Sequence, residues 1–324
     1  MLKIAMMAYD NCLLSGIAGQ LDLFTIANWE RRRQQPEVKE PFCRHEIVTA
    51  GGGPVTSFNR MPVMPKRALS DCQDADLVLV PGMMGRPDQL LEQQVLLDLL
   101  RQQSRRGAVI ASACSGAFLL AEAGLLDGRQ ATTHWQLAER FRQRYPKIDL
   151  QIDRLLIDGE DYLFAGGTSA HQDLALYLIE KFGSVKLAKA CARMMLIDNS
   201  RREQAPFVNF RGRKNHGDAP VLKAQQWLDK NYRGKVVIKE LAAFSGLNER
   251  TFLRRFRKAT GETPLEYVQR MRIEQAKRLL AGSDQLLEQV TRVVGYEDVS
   301  SFRRLFKQIV GVSPTVYRQR FSTL

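Results

Sequence analysis

Short apolar runs alternate with longer amphipathic patterns through the first part of this 324-residue chain. Short apolar runs closed by a turn or a glycine predict strands at Leu2–Ala8, His45–Thr49, Leu77–Val80 and Val109–Ser112. Apolar residues with helical spacing predict helices at Leu21–Arg33, Pro87–Arg105 and Ser115–Ala123. Strands that alternate with helices predict an α/β domain with a largely parallel, doubly wound sheet covered on both faces.

The same alternation continues to about residue 197. It predicts a helix at Trp135–Tyr145, strands near Gln151–Ile157 and at Tyr162–Ala165, and helices at Ser169–Phe182 and Val185–Ile197. Thr168 or Ser169 is available as the N-cap of the Ser169–Phe182 helix, and Gly183 follows its end. We therefore expect a first domain over residues 1–197.

The pattern lapses over residues 198–220, where the chain is polar, basic and broken by prolines and glycines. Such a composition predicts a linker. Every later pattern is helical, which predicts an all-α domain over residues 221–324.

The charge of the chain is concentrated in its last part. The net charge is +13, and residues 1–200 hold 23 basic and 23 acidic side chains, so the whole excess lies in residues 201–324. Lys and Arg gain affinity for phosphates by releasing counterions, so this asymmetry indicates a polyanionic partner for the C-terminal domain. A merely solvated basic surface remains the alternative on charge alone.

Two segments of the C-terminal domain repeat each other. The first begins at Ser245 and the second at Val294, and the glycines Gly246 and Gly295 match at an offset of 49 residues. An offset of 50 residues pairs Phe252 with Phe302, Arg254 with Arg304, Phe256 with Phe306, Gly261 with Gly311, Pro264 with Pro314, and Tyr267 with Tyr317. A repeat of this kind indicates one supersecondary unit used twice.

Each repeat has the pattern of a helix-turn-helix, over about residues 238–259 and 287–310. A short amphipathic helix is followed by a glycine turn and a helix whose phenylalanines, four residues apart, pack inward. Cations on the second helix of each repeat then face outward, as in a helix that enters the major groove of DNA. The candidate DNA-contacting residues are Arg250, Arg254, Arg257, Lys258, Ser300, Arg303, Arg304 and Lys307.

The C-terminal domain resembles the AraC/XylS family of transcription regulators. The resemblance covers residues 221–324 and is carried by the segment from Gly295 to Lys307, followed by Gly311-Val-Ser-Pro-Thr-Val-Tyr-Arg. It implies two helix-turn-helix units that are joined by a long helix, Pro264–Leu280, and enter successive major grooves on one face of DNA. The alternative is a basic amphipathic bundle for another acidic partner.

Cys114 lies between a predicted strand and a predicted helix, in the run from Val109 to Ala121. Such a strand-to-helix turn resembles a nucleophile elbow. With Leu77-Val-Leu-Val-Pro-Gly, the segment from Gly124 to Trp135 and that from Ala165 to Ala175, the domain resembles the ThiJ/PfpI branch of the class I glutamine amidotransferase-like, flavodoxin-like fold. That domain followed by an AraC tail resembles the GlxA-like regulators, which implies a sensor and dimerisation domain.

Three roles are open for Cys114. A nucleophilic cysteine needs a base and a group that orients it, whereas PfpI-type enzymes carry His after Cys and this chain carries Ser115. The loop after the first strand, residues 11–20, holds no acidic residue, and His134 and His171 are the remaining candidate bases. The alternatives are a ligand crevice at the carboxyl ends of the strands and an elbow that binds nothing. The candidate pocket residues are Gly82, Met83, Cys114, Ser115, His134, Trp135 and Thr168.

These observations predict a cytoplasmic, sequence-specific DNA-binding transcription regulator that is not an enzyme, and the resemblance to AraC-type proteins implies an activator rather than a repressor. The five cysteines are scattered, odd in number and without metal-ligand spacing, which suits a reducing compartment. The chain has neither the pattern of a signal peptide nor an apolar run long enough to span a membrane. We expect no metal or cofactor, and as partners double-stranded DNA, RNA polymerase if the protein is an activator, a second copy of the chain, and a small effector such as an amino acid or a quaternary amine. The rival function is a cysteine-dependent amidohydrolase or protease with a DNA-targeting tail.

Overall fold

A computed structural model describes residues 1–85, 88–198 and 204–322 of the chain. The chain divides into two compact units, Met1–Gln204 and Ala205–Leu324. No helix among the described residues is long and apolar enough to span a bilayer.

A mixed sheet forms the centre of the first unit. In the described residues of this unit the strands are β1 (Leu2–Met7), β2 (Cys43–Thr49), β3 (Val55–Thr56), β4 (Pro62–Val63), β5 (Arg67–Ala68), β6 (Leu77–Val80), β7 (Val109–Ala113), β8 (Gln130–Ala131), β9 (Asp149–Leu150), β10 (Leu156–Asp158) and β11 (Tyr162–Ala165). The main sheet has the order β10-β11-β7-β6-β1-β2-β5, and β10 is antiparallel to its neighbour whereas the other pairs are parallel. β3 pairs with β4 and β8 pairs with β9 in separate small sheets.

Helices cover both faces of this sheet, which confirms the doubly wound α/β prediction. They are α1 (Leu14–Gln34), α2 (Asp88–Leu91), α3 (Gln94–Arg105), α4 (Ala117–Glu122), α5 (Ala138–Arg144), α6 (His171–Phe182) and α7 (Val185–Met194). α1, α6 and α7 pack together on one side, and α3 packs with α4 against β7. The strand order reverses between β1 and β6, so the crevice beyond their carboxyl ends is the natural ligand position of such a fold.

Several predicted boundaries in the first unit are wrong. The strand predicted near Gln151–Ile157 is two separate strands, Asp149–Leu150 and Leu156–Asp158, because the residues between them turn. The helix predicted from Pro87 is divided into α2 and α3, and residue 87 lies outside the described residues. Neither Thr168 nor Ser169 caps α6; the N-cap is Ala170, without a side-chain hydrogen bond.

The second unit is helical, which confirms the all-α prediction. Its helices are α8 (Ala219–Asn231), α9 (Ile238–Phe244), α10 (Glu249–Thr260), α11 (Pro264–Gly282), α12 (Leu287–Val293), α13 (Val299–Val310) and α14 (Pro314–Phe321). Two separate apolar clusters among its described residues stabilise it. One runs from Val221 to Val268 along the chain and the other from Ile273 to Tyr317.

The residues before α8 pack on the long helix α11. We call residues 205–212 the arm. The Glu274 carboxylate accepts a hydrogen bond from Phe210 N at 3.1 Å, and Lys277 Nζ donates to the carbonyl of Val208. The Phe210 ring meets that of Tyr267 edge-on at 5.1 Å. The arm falls within the linker predicted at residues 198–220, of which residues 199–203 lie outside the described residues.

Candidate DNA interface and ligand site

α9 and α10 form the first helix-turn-helix. Gly246 turns the chain between them with a φ of 75°, a left-handed conformation that glycine adopts without strain. Asn248 caps α10, since its Oδ1 accepts a hydrogen bond from Thr251 N at 2.9 Å. Gly261 ends α10 in the left-handed conformation.

α12 and α13 repeat this geometry. Gly295 turns the chain with a φ of 89°, and Gly311 ends α13 as Gly261 ends α10. Asp298 caps α13 by accepting hydrogen bonds from Ser300 N at 3.3 Å and Ser301 N at 2.6 Å. The predicted repeat is therefore a repeat of caps and turns as well as of apolar residues.

Aromatic rings set which face of each second helix turns inward. Phe252 and Phe256 are fully buried with ring centroids 5.4 Å apart, and Phe256 meets Tyr267 edge-on at 5.4 Å. The matching set Phe302, Phe306 and Tyr317 packs in the same way, with centroids 5.7–5.8 Å apart. The opposite face of α10 and of α13 is thereby exposed to solvent.

All eight candidate DNA-contacting side chains are exposed. Arg254 and Arg304 lie halfway between the two buried phenylalanines of their helices, so they project from the face opposite the core. No carboxylate among the described residues lies within 4.0 Å of any of the seven candidate cations. Arg255, which was not a candidate, is different because it holds both carboxylate oxygens of Asp218 at 2.9 Å.

Cys114 occupies a strained elbow between β7 and α4. Its φ of 56° is unusual for a residue with a side chain and typical of a nucleophile elbow. Gly116 makes the turn possible, since a Cβ there would lie 2.8 Å from the carbonyl oxygen of Val80 and 2.9 Å from that of Pro81. A Cβ on Gly82 would lie 3.0 Å from that of Cys114.

The structure brings five of the seven candidate pocket residues together. Ser115 Oγ accepts from Met83 N at 2.7 Å and donates to Met83 O at 2.8 Å, and Gly82 lies against Cys114. Thr168 Oγ1 lies 3.7 Å from Cys114 Sγ.

The other two candidate pocket residues, His134 and Trp135, stack on each other with centroids 5.6 Å apart. His134 Nδ1 accepts from Gln136 N at 3.2 Å, and burial lowers the pKa of this imidazole. His171 Nδ1 lies 2.9 Å from the carbonyl oxygen of Thr168. Among the described residues, no histidine is a hydrogen-bond partner of Cys114 Sγ.

The environment of Cys114 favours the neutral thiol. Its side chain is only 5% exposed, and burial raises the pKa of the thiol although hydrogen bonds with the Thr168 hydroxyl and with Ser115 work in the opposite direction. Tyr9 is also buried and donates to the carbonyl of Pro81. Burial holds the pKa of this phenol well above its usual value, and the nearby Cys12 and Cys114 raise it further.

Two residues at this site were missed by the sequence prediction. Thr133, fully buried, donates through Oγ1 to the carbonyl oxygen of Cys114 at 2.8 Å. Gln204 is 3% exposed, and its Nε2 donates to Thr133 O at 3.0 Å and Thr132 Oγ1 at 3.1 Å. Its buried Oε1 has no hydrogen-bond partner among the described residues. The adjacent Thr132-Thr133 pair was visible in the sequence, whereas nothing local marks Gln204.

Family models match both units. The DJ-1/PfpI family model matches residues 34–181, and a helix-turn-helix domain model matches residues 241–320.

Curated relatives include both regulators and an enzyme. The chain is 29% identical over 273 residues to the HTH-type transcriptional regulator CdhR of Pseudomonas aeruginosa, which is 84% of this chain and 80% of that protein. It is 26% identical to the HTH-type transcriptional regulator GlxA of Rhizobium meliloti, over 84% of each. The isonitrile hydratase of Pseudomonas putida is 33% identical over 49% of this chain and 76% of its own length.

A solved structure with the same α/β fold is that of an AraC family transcriptional regulator from Pseudomonas putida. It is 18% identical, with a TM-score of 0.52, and the match covers 60% of this chain and all of that one. This likeness and the DJ-1/PfpI match agree with the α/β fold of the first unit. The helix-turn-helix match agrees with the two helix-turn-helix motifs of the second unit. The chain therefore belongs to the DNA-binding transcription regulators, GlxA among them, that join a DJ-1/PfpI domain to an AraC-type helix-turn-helix domain.

Proposed function

We propose that the protein is a cytoplasmic, non-enzymatic activator that answers to a small metabolite bound beside Cys114. In this proposal the outward-facing cations of α10 and α13 and Ser300 contact DNA. The crevice at the carboxyl ends of β6, β7 and β11 binds the effector, such as an amino acid or a quaternary amine, and RNA polymerase is the partner at the promoter.

The proposal that the protein is not an enzyme rests on the environment of the Cys114 thiol, which favours its neutral form. A thiol is a good nucleophile only as the thiolate, and an activated cysteine has a base within hydrogen-bond reach. Burial raises the pKa of Cys114, and the hydrogen-bond partners of its thiol among the described residues are the Thr168 hydroxyl and Ser115, neither of which is a base. A neutral, buried thiol with polar neighbours suits a pocket wall better than the attacking atom of a hydratase or an amidohydrolase.

The contacts of Gln204 support a route from the proposed pocket to the segment that precedes the DNA-binding domain. Gln204 is the last residue of the first unit, so the chain leaves that unit from the neighbourhood of the proposed pocket. Its side chain reaches Thr133, which in turn holds the carbonyl of Cys114. Among the described residues the buried Oε1 of Gln204 has no partner, and this makes the anchor easier to displace, since an unsatisfied buried acceptor costs about 1–3 kcal/mol. An effector that rearranges Thr133 would therefore change how the chain is held before the DNA-binding domain.

Replacing Cys114 with serine tests the pocket. The effector would first be found by thermal unfolding of the full chain against amino acids and quaternary amines, since a ligand that binds the native state raises the melting temperature. We expect Cys114→Ser to leave DNA affinity without effector unchanged and to reduce the thermal shift and the effector-dependent transcription together. Cys72→Ser is the matched control, because Cys72 is also buried but lies after β5, the fourth strand from β7 in the order of the sheet.

A normal effector response in Cys114→Ser would contradict the assignment of the effector site to the crevice beside Cys114. Turnover of isonitriles or amides by the wild-type chain, lost in Cys114→Ser, would establish the enzymatic alternative instead.

We also propose that the full chain is a homodimer assembled through its first unit. The charges of that region balance, with 23 of each sign in residues 1–200, so no net repulsion opposes pairing of two copies. Light scattering of the full chain is expected to give about twice 36.8 kDa at micromolar concentration. A monomeric mass both with and without operator DNA would contradict the dimer.

A further inference from the structure

The two helix-turn-helix modules have separate apolar cores, and α11 passes from one to the other. The first core ends on this helix at Val268, with Met271 at its border, and the second begins at Ile273. A shared core would fix the relative orientation of the modules through packing. Two separate cores leave that task to α11, to the arm and to polar contacts across the junction.

Arg272 lies at this junction and binds both modules. Its Nε donates to the carbonyl oxygen of Tyr232 at 2.8 Å and its Nη2 to that of Gly234 at 2.7 Å, both in the loop that precedes α9. Its Nη1 donates to the carbonyl oxygen of Gly295 at 2.9 Å, in the turn between α12 and α13. The guanidinium also lies over the Tyr296 ring, 5.1 Å from its centroid.

The backbones of the two modules touch at the same place. A Cβ on Gly295 would lie 2.2 Å from the carbonyl oxygen of Arg233, and the φ of 89° at Gly295 already favours glycine. The turn of the second module therefore rests directly on the loop of the first, and Arg272 fastens both.

We propose that Arg272 is a positioning residue that sets the orientation of α10 relative to α13, and so the spacing of the two base sequences that the protein recognises. This rests on the proposed contacts of both helices with DNA. Successive major grooves on one face are about 34–36 Å apart, and each base pair adds a rotation of about one tenth of a turn. Two linked modules can bind both grooves with full affinity only if their relative rotation is fixed to within about the rotation that one base pair adds.

The planar guanidinium is suited to this task because it presents five donors in a fixed fork. A lysine retains the charge but is a single flexible ammonium, so it cannot hold three carbonyls on two modules at once. In such a variant α11 still joins the modules, and the arm still contacts both, since Phe207 packs on Phe321 and Phe210 on Tyr267.

The test uses the full chain and an operator selected from a random duplex library. Fluorescence anisotropy would compare the operator, derivatives with one base pair inserted or deleted between its two boxes, and duplexes in which one box is scrambled. The variants are Arg272→Lys and, as a matched control on the same helix, Arg278→Lys, whose side chain is 68% exposed.

We expect the wild type and Arg278→Lys to lose about tenfold or more in affinity when the spacing changes, a cost like that of a mismatched base pair. Arg272→Lys should bind the intact operator several-fold more weakly, respond less than about threefold to the altered spacing, and bind the one-box duplexes as the wild type does. This last result separates a positioning role from a loss of folding.

Two results would overturn the proposal. If Arg272→Lys kept the full spacing penalty, or lost affinity equally on one-box duplexes, Arg272 would have no role in positioning. If the wild type itself were indifferent to spacing, the two-groove binding mode would be wrong and the positioning role with it.

Discussion

Replacing Arg254 or Arg304 with alanine is expected to weaken binding to the cognate operator by about 1–3 kcal/mol and to change binding to random DNA far less. Both side chains project from the exposed face opposite a buried phenylalanine pair, in equivalent positions of the two modules. An arginine at this position that binds a guanine edge makes that contact only on the cognate sequence. Its removal should therefore lower affinity for the operator far more than affinity for random DNA.

Anisotropy on operator and scrambled duplexes measures both quantities. Lys258→Ala is the control, since Lys258 is near the end of α10 and we expect it to contact phosphate. A phosphate contact carries no sequence information, so this variant should lose equally on both duplexes. Equal losses on both duplexes for Arg254→Ala and Arg304→Ala would reduce these arginines to backbone contacts.

Phe256→Ala is expected to destabilise the first module by about 3–5 kcal/mol, the usual cost of removing a fully buried aromatic ring. Phe256 is 0% exposed and lies between Phe252 and Tyr267. Since the two modules have separate cores, the loss should be confined to the first module.

Hydrogen exchange of α10 and α13 amides measures this locally, because opening free energies differ between parts of a structure. Protection of α10 should fall while that of α13 is retained. Leu253→Ala, on the same helix but with a side chain 38% exposed, should cost less than about 1 kcal/mol. Equal loss of protection in both helices would show that the modules share one cooperative core.

The helix-turn-helix modules could be predicted from sequence almost to the residue. Ile238–Phe244 and Leu287–Val293 are helices with the predicted bounds, and Pro264–Leu280 is two residues longer. These elements are local: apolar spacing defines their inner faces, and glycines with positive φ, such as Gly246, end them.

In the first unit, tertiary contacts explain why the start of one helix was predicted wrongly. α1 begins at Leu14 rather than Leu21, although Gly16 and Gly19 disfavour a helix. A Cβ on Gly19 would lie 3.0 Å from His171 Nε2 on α6, so the glycine serves close packing of the two helices. No pattern within α1 could have shown that its partner is 152 residues away.

The candidate pocket was predictable only in part for the same reason. Cys114 and Ser115 share one local turn, and Gly82 and Met83 follow a strand that was predicted correctly. Thr133 and Gln204 meet the elbow from distant parts of the chain, through hydrogen bonds that leave no periodic signal. Thr168 was expected both as a possible cap of α6 and as a pocket residue; it does not cap the helix, and it lies beside Cys114 Sγ.

The most direct test of the account is the affinity of the full chain for its selected operator and for a scrambled duplex as a function of salt. We expect strong preference for the operator, and affinity for both duplexes that falls steeply with salt, because the excess of +13 charges in residues 201–324 displaces counterions from phosphates. Equal affinity for the two duplexes, or binding that does not change with salt, would contradict the claim that the protein is a sequence-specific regulator that binds DNA through its two basic modules.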